Sequence, residues 1–265
     1  MALGWPVDSG AEVHAISGRA VLVTGASRGI GKATALAFAK VGDRVVVNHR
    51  DSRAEADEVV RSLPGSGHTA IQADLAIPES AAALVESTVA ALGGLDVLVN
   101  NAGVSLPHDV AVDDFETWRA AWDRTLAVNL SGPAFVTYWA VQQMLKQGGG
   151  RIINISSRGA FRGEPGQPAY AATKAGLNAF GQSLALALGG RGIAVMTIAP
   201  GWVETEMAIA EMERPGGQEV LKQSPLGRMA RPDEIAAAAV FLASPEAEFS
   251  TGAVLDINGA SYLRT

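Results

Sequence analysis

The stretch YAATK, residues 170–174, sets a tyrosine and a lysine four positions apart among alanines and a threonine. On a helix that spacing is nearly one turn, so Tyr170 and Lys174 project from one face. An ammonium beside a phenol favours the phenolate, lowering its pKa from about 10 toward the range useful for proton transfer near neutral pH. Thirteen residues before Tyr170, the apolar run RIINISS ends in Ser157, whose hydroxyl could hold a carbonyl oxygen. Together the three side chains could exchange a proton at an oxygen bound to carbon, provided strand end, loop and helix meet at one cleft.

A second group of functional positions lies near the start of the chain. TGASRGIG, residues 24–31, places Gly25, Gly29 and Gly31 directly after an apolar run. Glycines there allow a tight turn and let the backbone approach a diphosphate, whose charge then sits on the N-terminus of the next helix. In dinucleotide-binding folds an acid at the end of the second strand takes the adenosine ribose hydroxyls and selects NAD over NADP. This chain has Asn48, His49 and Arg50 there. With no carboxylate at those positions to repel a 2′-phosphate, and with Arg28 and Arg50 to pair with it, NADP(H) is the expected cofactor and NAD(H) the second choice. Asp74 could accept a hydrogen bond from an adenine amino group, or cap a turn.

These groups need a scaffold, and the periodicity supplies one. Runs at residues 20–24, 44–49, 69–74, 95–101, 151–157, 193–200 and 253–258 read as seven strands. Between them lie helical patterns such as GKATALAFAKVG, PESAAALVESTVAALGG and a long segment from about Phe115 to Gln147. Strand followed by helix, repeated, means right-handed crossovers and a parallel, doubly wound α/β sheet. The chain has 265 residues, 48% of them hydrophobic, and no linker or charge block, so residues 18–265 read as one domain behind an N-terminal extension, 1–17, expected to be mobile.

Composition narrows the partners. A net charge of −6 argues against nucleic acid and anionic membrane surfaces. The absence of cysteine removes disulfides, thiolate nucleophiles and Cys-ligated zinc. The N-terminal stretch lacks a basic region and an apolar core, and the longest apolar run, at 235–243, is too short to span a bilayer, so a soluble, cytoplasmic protein is expected. His14, His49, His68 and His108 show no ligand spacing and read as solvated or loop residues, with no metal site among them.

Together with NNAG at 100–103 and VNLSG at 128–132, the glycine loop, the serine and the YAATK stretch occur in the order and spacing of a known family. From residue 18 to 260 the chain resembles the short-chain dehydrogenase/reductases. The resemblance implies a Rossmann-type domain, with Tyr170 giving or taking the proton at the substrate oxygen and Ser157 polarising that oxygen. Lys174 would bind the nicotinamide ribose and lower the tyrosine pKa, and Asn129 would hold a proton-relaying water. Ser27, Ile30, Leu75, Asn101, Ala102 and Gly103 would join the glycine loop around the cofactor, with Asn100 supporting the central strand. In APGWVETEM, at 199–207, Pro200, Gly201, Val203 and Thr205 would meet the nicotinamide, and the residues up to about Ser224 would form a mobile substrate lid.

The C-terminal part is similar to the branch holding 3-oxoacyl-acyl-carrier-protein reductases and related sugar, steroid and alcohol dehydrogenases. It departs in having Ala260 where a second glycine usually follows Gly259, with a consequence expected for packing alone. Of the two basic positions that flank the cleft in carrier-protein reductases, Arg191 resembles one; the other falls near Gly148, with Lys146 as a substitute. A 3-oxoacyl thioester therefore stands beside a free carbonyl compound, sugar, polyol or other secondary alcohol as substrate. A catalytically silent dinucleotide-binding module is the non-enzymatic alternative, against which the filled catalytic positions speak. Trp118, Trp122 and Trp139 read as core or interface anchors, in keeping with the homotetramers or homodimers of the family.

Overall fold

The computed structural model describes residues 18–212 and 219–264; the extension at 1–17 lies outside them. Seven strands form one parallel sheet: β1 (Ala20–Val23), β2 (Arg44–His49), β3 (Thr69–Gln72), β4 (Val97–Asn100), β5 (Gly150–Ile155), β6 (Ile193–Pro200) and β7 (Val254–Ile257). Their spatial order is β3-β2-β1-β4-β5-β6-β7. The chain therefore winds outward in opposite directions from the β1/β4 pair, which leaves a crevice at the carboxyl ends of those strands.

Every residue of β1, β4 and β6 is buried, which is why these strands read as unbroken apolar runs rather than alternating ones. Val21 and Val23 point into one core with Phe38 of α1 (Gly29–Lys40), while Ala20 and Leu22 point into the other. Between β2 and β3 runs α2 (Arg53–Ser62), and α3 (Pro78–Leu92) precedes β4. The long helical segment expected over about 115–147 is two helices, α4 (Phe115–Leu126) and α5 (Gly132–Gln147), joined by a π-helical turn at Ala127–Ser131. Asp114 caps α4, its Oδ1 accepting from Thr117 N at 2.9 Å.

After β5 come the short α6 (Gly159–Arg162) and the long α7 (Pro168–Leu188). Beyond β6 lie α8 (Glu206–Met212), α9 (Glu219–Lys222) and α10 (Pro232–Leu242), the last packed on α1. Ala260 holds a left-handed backbone, φ +57°, so the departure from glycine there strains the backbone as well as changing the packing.

Helix α7 lies close over β5 and β6 because Gly181 has no side chain. A Cβ there would sit 2.9 Å from Asn154 Nδ2 and 3.1 Å from Thr197 Oγ1. Gly181→Val should cost about 1–3 kcal/mol through overpacking. Urea unfolding measures it, and an unchanged midpoint would show that the helix seat tolerates bulk.

Candidate active site

A cleft of about 780 Å³ opens at the carboxyl edge of the sheet. Gly25 to Gly31 of the glycine loop, the end of β2, Asp74, Leu75 and Asn101 to Gly103 line one part of it. Ser157, Tyr170, Lys174 and the segment Pro200 to Thr205 line the other. Asn100 and Asn129 stand behind this surface, both buried.

The glycine loop is shaped by polar side chains that spend their hydrogen bonds on backbone. Thr24 Oγ1 accepts from the backbone N–H of Asn101 and of Ala102, each at 3.0 Å. Asn101 Nδ2 donates to the carbonyls of Thr24 and Gly25. Asn48 Oδ1 accepts from Gly25 N at 3.2 Å while its Nδ2 faces the carbonyls of His49, Ile71 and Ala73, so this cleft-lining residue spends its amide on building the loop. Gly25 and Gly29 adopt positive φ, and a Cβ on Gly31 would collide with Gly25 O. The loop feeds α1, whose first turn has no acidic residue and no side-chain cap. Free N–H groups at a positive helix end behind a bare backbone cradle suit a diphosphate.

At the end of β2 the ring of His49 is buried, with neither nitrogen hydrogen-bonded to a described residue. Burial, then the Arg53 charge, lowers its pKa, so the ring is neutral. Arg50 pairs with Asp51, and Arg28 with Glu206 at 3.0 Å, both on the surface. Asp74 acts as a turn cap, its Oδ1 accepting from Ala76 N at 3.0 Å, and it also pairs with Arg124 at 3.3 Å.

The catalytic candidates meet where β5 ends and α7 begins. Lys174 is buried, and its Nζ donates to the carbonyl of Ile155 at 2.8 Å. That atom lies 5.7 Å from the centroid of the Tyr170 ring. Desolvation lowers Lys174 to about 8. Desolvation also raises the Tyr170 pKa, against the lowering pull of the Ser157 hydroxyl. In the protein alone, then, burial outweighs the depression that the four-residue spacing leads one to expect. Ser157 Oγ accepts from Gly159 N at 3.0 Å, which leaves its own proton to donate.

Asn129 sits in the π-turn with its amide committed to Val104, accepting from N and donating to O, both at 2.8 Å. It thereby fixes the chain after Gly103, where a Cβ would lie 3.5 Å from both Asn129 Oδ1 and Lys174 Nζ.

The reading of the histidines as solvated or loop residues holds for His68 and His108 as to the loop and fails for His49, which lies buried in β2. His49 and His108 are both buried, and His68 Nδ1 accepts from Val45 N at 3.1 Å; His14 lies outside the described residues. His108 Nε2 accepts from Ala169 N at 3.2 Å, so Nδ1 carries the proton toward Leu106 O at 2.7 Å. Trp118 and Trp122, stacked at 5.0 Å, pack against the His108 ring. The cluster anchors the first turn of α7, one residue before Tyr170. Among the described residues no group of three or more His, Asp or Glu side chains is arranged to hold a metal ion.

Arg158, Glu164 and Trp202 also line the cleft, although no spacing pattern marks them. The only sequence signal is an arginine closing an apolar strand. Arg191 and Lys146, in contrast, precede β6 and β5 and so lie at the amino edge of the sheet, opposite the cleft. They do not flank it within one chain.

Residues 25–260 match the family described as Enoyl-(Acyl carrier protein) reductase. The chain is 40% identical to a 3-oxoacyl-[acyl-carrier-protein] reductase of Synechocystis sp., over 94% of this chain and 99% of that one. It is 38% identical to an L-rhamnose 1-dehydrogenase (NAD(P)(+)) of Sphingomonas sp., over 94% and 98% of the two chains. A cis-4-hydroxycyclohexanecarboxylate dehydrogenase of Sinomonas cyclohexanicum is 37% identical over 93% and 97%.

Because Ala169 is buried, removing its acceptor should be costly. His108→Phe should destabilise the protein by about 1–3 kcal/mol, and His108→Gln, whose amide oxygen can accept, should recover part of the loss. Thermal or urea unfolding of the pair checks this; equal losses would mean that ring packing, not the hydrogen bond, is what matters.

Proposed function

The chain belongs to the short-chain dehydrogenase/reductase family and is an oxidoreductase acting on CH–OH and C=O groups, and from that premise we propose an NADP(H)-dependent carbonyl reductase with Tyr170 as its acid/base. A 3-oxoacyl thioester is the first substrate class to test. The reading is carried by the meeting of Ser157, Tyr170 and Lys174 in the same cleft as the glycine loop.

A nicotinamide dinucleotide bound along the cleft would supply or accept the hydride. Gly25, Ser27, Gly29, Ile30 and Gly31 and the uncapped start of α1 would hold its diphosphate, and Lys174 its nicotinamide ribose. Ala102, Gly103, Pro200, Gly201, Val203 and Thr205 form the adjoining walls. His49, Arg50 and Arg28 support the choice of NADP(H), because no carboxylate ends β2 and both arginines reach the cleft.

For reduction, the Ser157 hydroxyl donates to the substrate oxygen and fixes it. Tyr170 then gives its proton to that oxygen as negative charge develops. A phenol held neutral by burial is suited to this step. The Lys174 ammonium stabilises the phenolate that remains, and Asn129 fixes the chain just after Gly103 through its two hydrogen bonds to Val104.

A second reading, a free carbonyl compound or secondary alcohol, is supported by the placement of Arg191 and Lys146 away from the cleft. Partly exposed Phe135, Tyr138 and Trp139 on α5 suit packing against a second copy, as a homodimer or homotetramer. Among the described residues no helix is long and apolar enough to cross a membrane.

Fluorescence titration should show NADPH binding more tightly than NADH, and Arg50→Ala should narrow the difference; a tighter NADH complex would reverse the cofactor choice. With NADPH and an acetoacetyl thioester or ketone panel, Tyr170→Phe should lower kcat/KM by on the order of 10²–10⁴ while cofactor binding persists. Turnover that survives the substitution would rule out the assigned acid.

The lysine makes a pH prediction. Its ammonium predominates below about 8 and is lost as pH rises through that value, so reductive kcat/KM should fall on the alkaline side of about pH 8. A pH–rate profile flat to pH 10 would show that this charge does not take part.

A further inference from the structure

Next to Ser157 the cleft wall contains a buried cation with too few acceptors. Arg158 is 3% exposed, and its backbone N–H donates to Pro200 O at 2.9 Å, which holds it between the ends of β5 and β6. Its guanidinium lies 6.0 Å from the centroid of the Trp202 ring. Nη2 donates to Oε1 of Gln223, whereas Nη1, fully buried, has no acceptor among the described residues. Trp202 Nε1 is likewise buried without one. A guanidinium has five N–H donors and no acceptor, and leaving such a charge buried and underpaired is costly.

Arg162 strengthens the pattern. Its Nη1 reaches the same Gln223 oxygen at 3.3 Å, so two guanidinium groups converge on one neutral amide oxygen. Glu164, the carboxyl group nearby, acts on both arginines through charge alone, with no hydrogen bond to either. Burial pushes its own pKa up, toward the neutral form. Among the described residues no carboxylate hydrogen-bonds to Arg158, and Glu164 meets it through charge alone. Gln223 follows α9, and its neutral amide is a group that an incoming ligand could displace.

We propose that Arg158, with Arg162 beside it, binds a carboxylate of the substrate, so that the cleft takes an oxo acid or hydroxy acid with its carboxylate near the reacting carbon. Carboxylate oxygens would replace the Gln223 amide oxygen and bring an acceptor to the unpartnered Nη1. The proposal rests on reading the cleft as that of a carbonyl reductase, and within that reading it favours a free acid over a neutral acyl thioester.

The test compares the full chain, with NADPH, on pyruvate, acetoacetate and 4-oxopentanoate, each against its methyl ester, with an acetoacetyl thioester as the neutral acyl arm. At least one acid should exceed its ester in kcat/KM by on the order of 100-fold, mostly through KM. In Arg158→Met that ratio should collapse toward one while NADPH titration shows an intact cofactor site. The wild-type ratio decides by itself if the variant does not fold. Acid and ester reduced equally, the ester preferred, or a ratio kept by a folded Arg158→Met would overturn the carboxylate site. In those cases Tyr170-dependent reduction of the ester or thioester leaves the reductase reading standing. No reduction of any carbonyl compound despite NADPH binding would remove that reading, and the carboxylate site with it.

Discussion

The hydrogen bond from Lys174 Nζ to the carbonyl of Ile155, at 2.8 Å, sets the geometry on which the site depends. Ile155 is the last residue of β5 and Lys174 lies in the second turn of α7, so this contact fixes how far the helix advances past the strand end. Ser157 and Tyr170, two residues beyond the strand and four before the lysine, then have little freedom of placement. The same burial that makes the bond strong takes the ammonium out of water, which lowers Lys174 to about 8. Position and proton affinity therefore have a single cause, and the tight seat provided by Gly181 maintains both.

The legible parts of the structure were those written in local pattern. Seven apolar runs gave the seven strands because parallel strands covered on both faces need no polar alternation, and the Tyr170–Lys174 pair follows from helical spacing alone. What escaped depends on contacts between distant segments. The break between α4 and α5 occurs where Asn129 binds Val104, 25 residues earlier, and no periodicity reports such a bond. His108 is a loop histidine, but its burial comes from Trp118 and Trp122 covering it and from the hydrogen bond that Ala169 donates to it. Arg158 has no partner at fixed spacing; its burial comes from Pro200, Trp202 and Gln223. The depression of the tyrosine pKa failed as a local inference for the same reason, since desolvation is a property of the assembled cleft.

The polar groups around the cleft fall into two sets. Thr24, Asn48, Asn101 and Asn129 direct their hydrogen bonds to backbone N–H and carbonyl groups, so their polarity maintains the loop shapes. His49, Arg158 and Trp202 instead keep buried ring or guanidinium nitrogens without described partners. Folded chains rarely leave such groups unpaired, because each costs about 1–3 kcal/mol. Here two of the three residues carry only donors; the Arg158 guanidinium lies 6.0 Å from the centroid of the Trp202 ring, and Arg158 follows Ser157 in the chain. A donor-only corner prefers a ligand that only accepts, which a carboxylate does and an alkyl chain does not. What sets Arg158 and Trp202 apart from other buried polar groups without partners is that they line the cleft, where an accepting group of the proposed substrate would complete them.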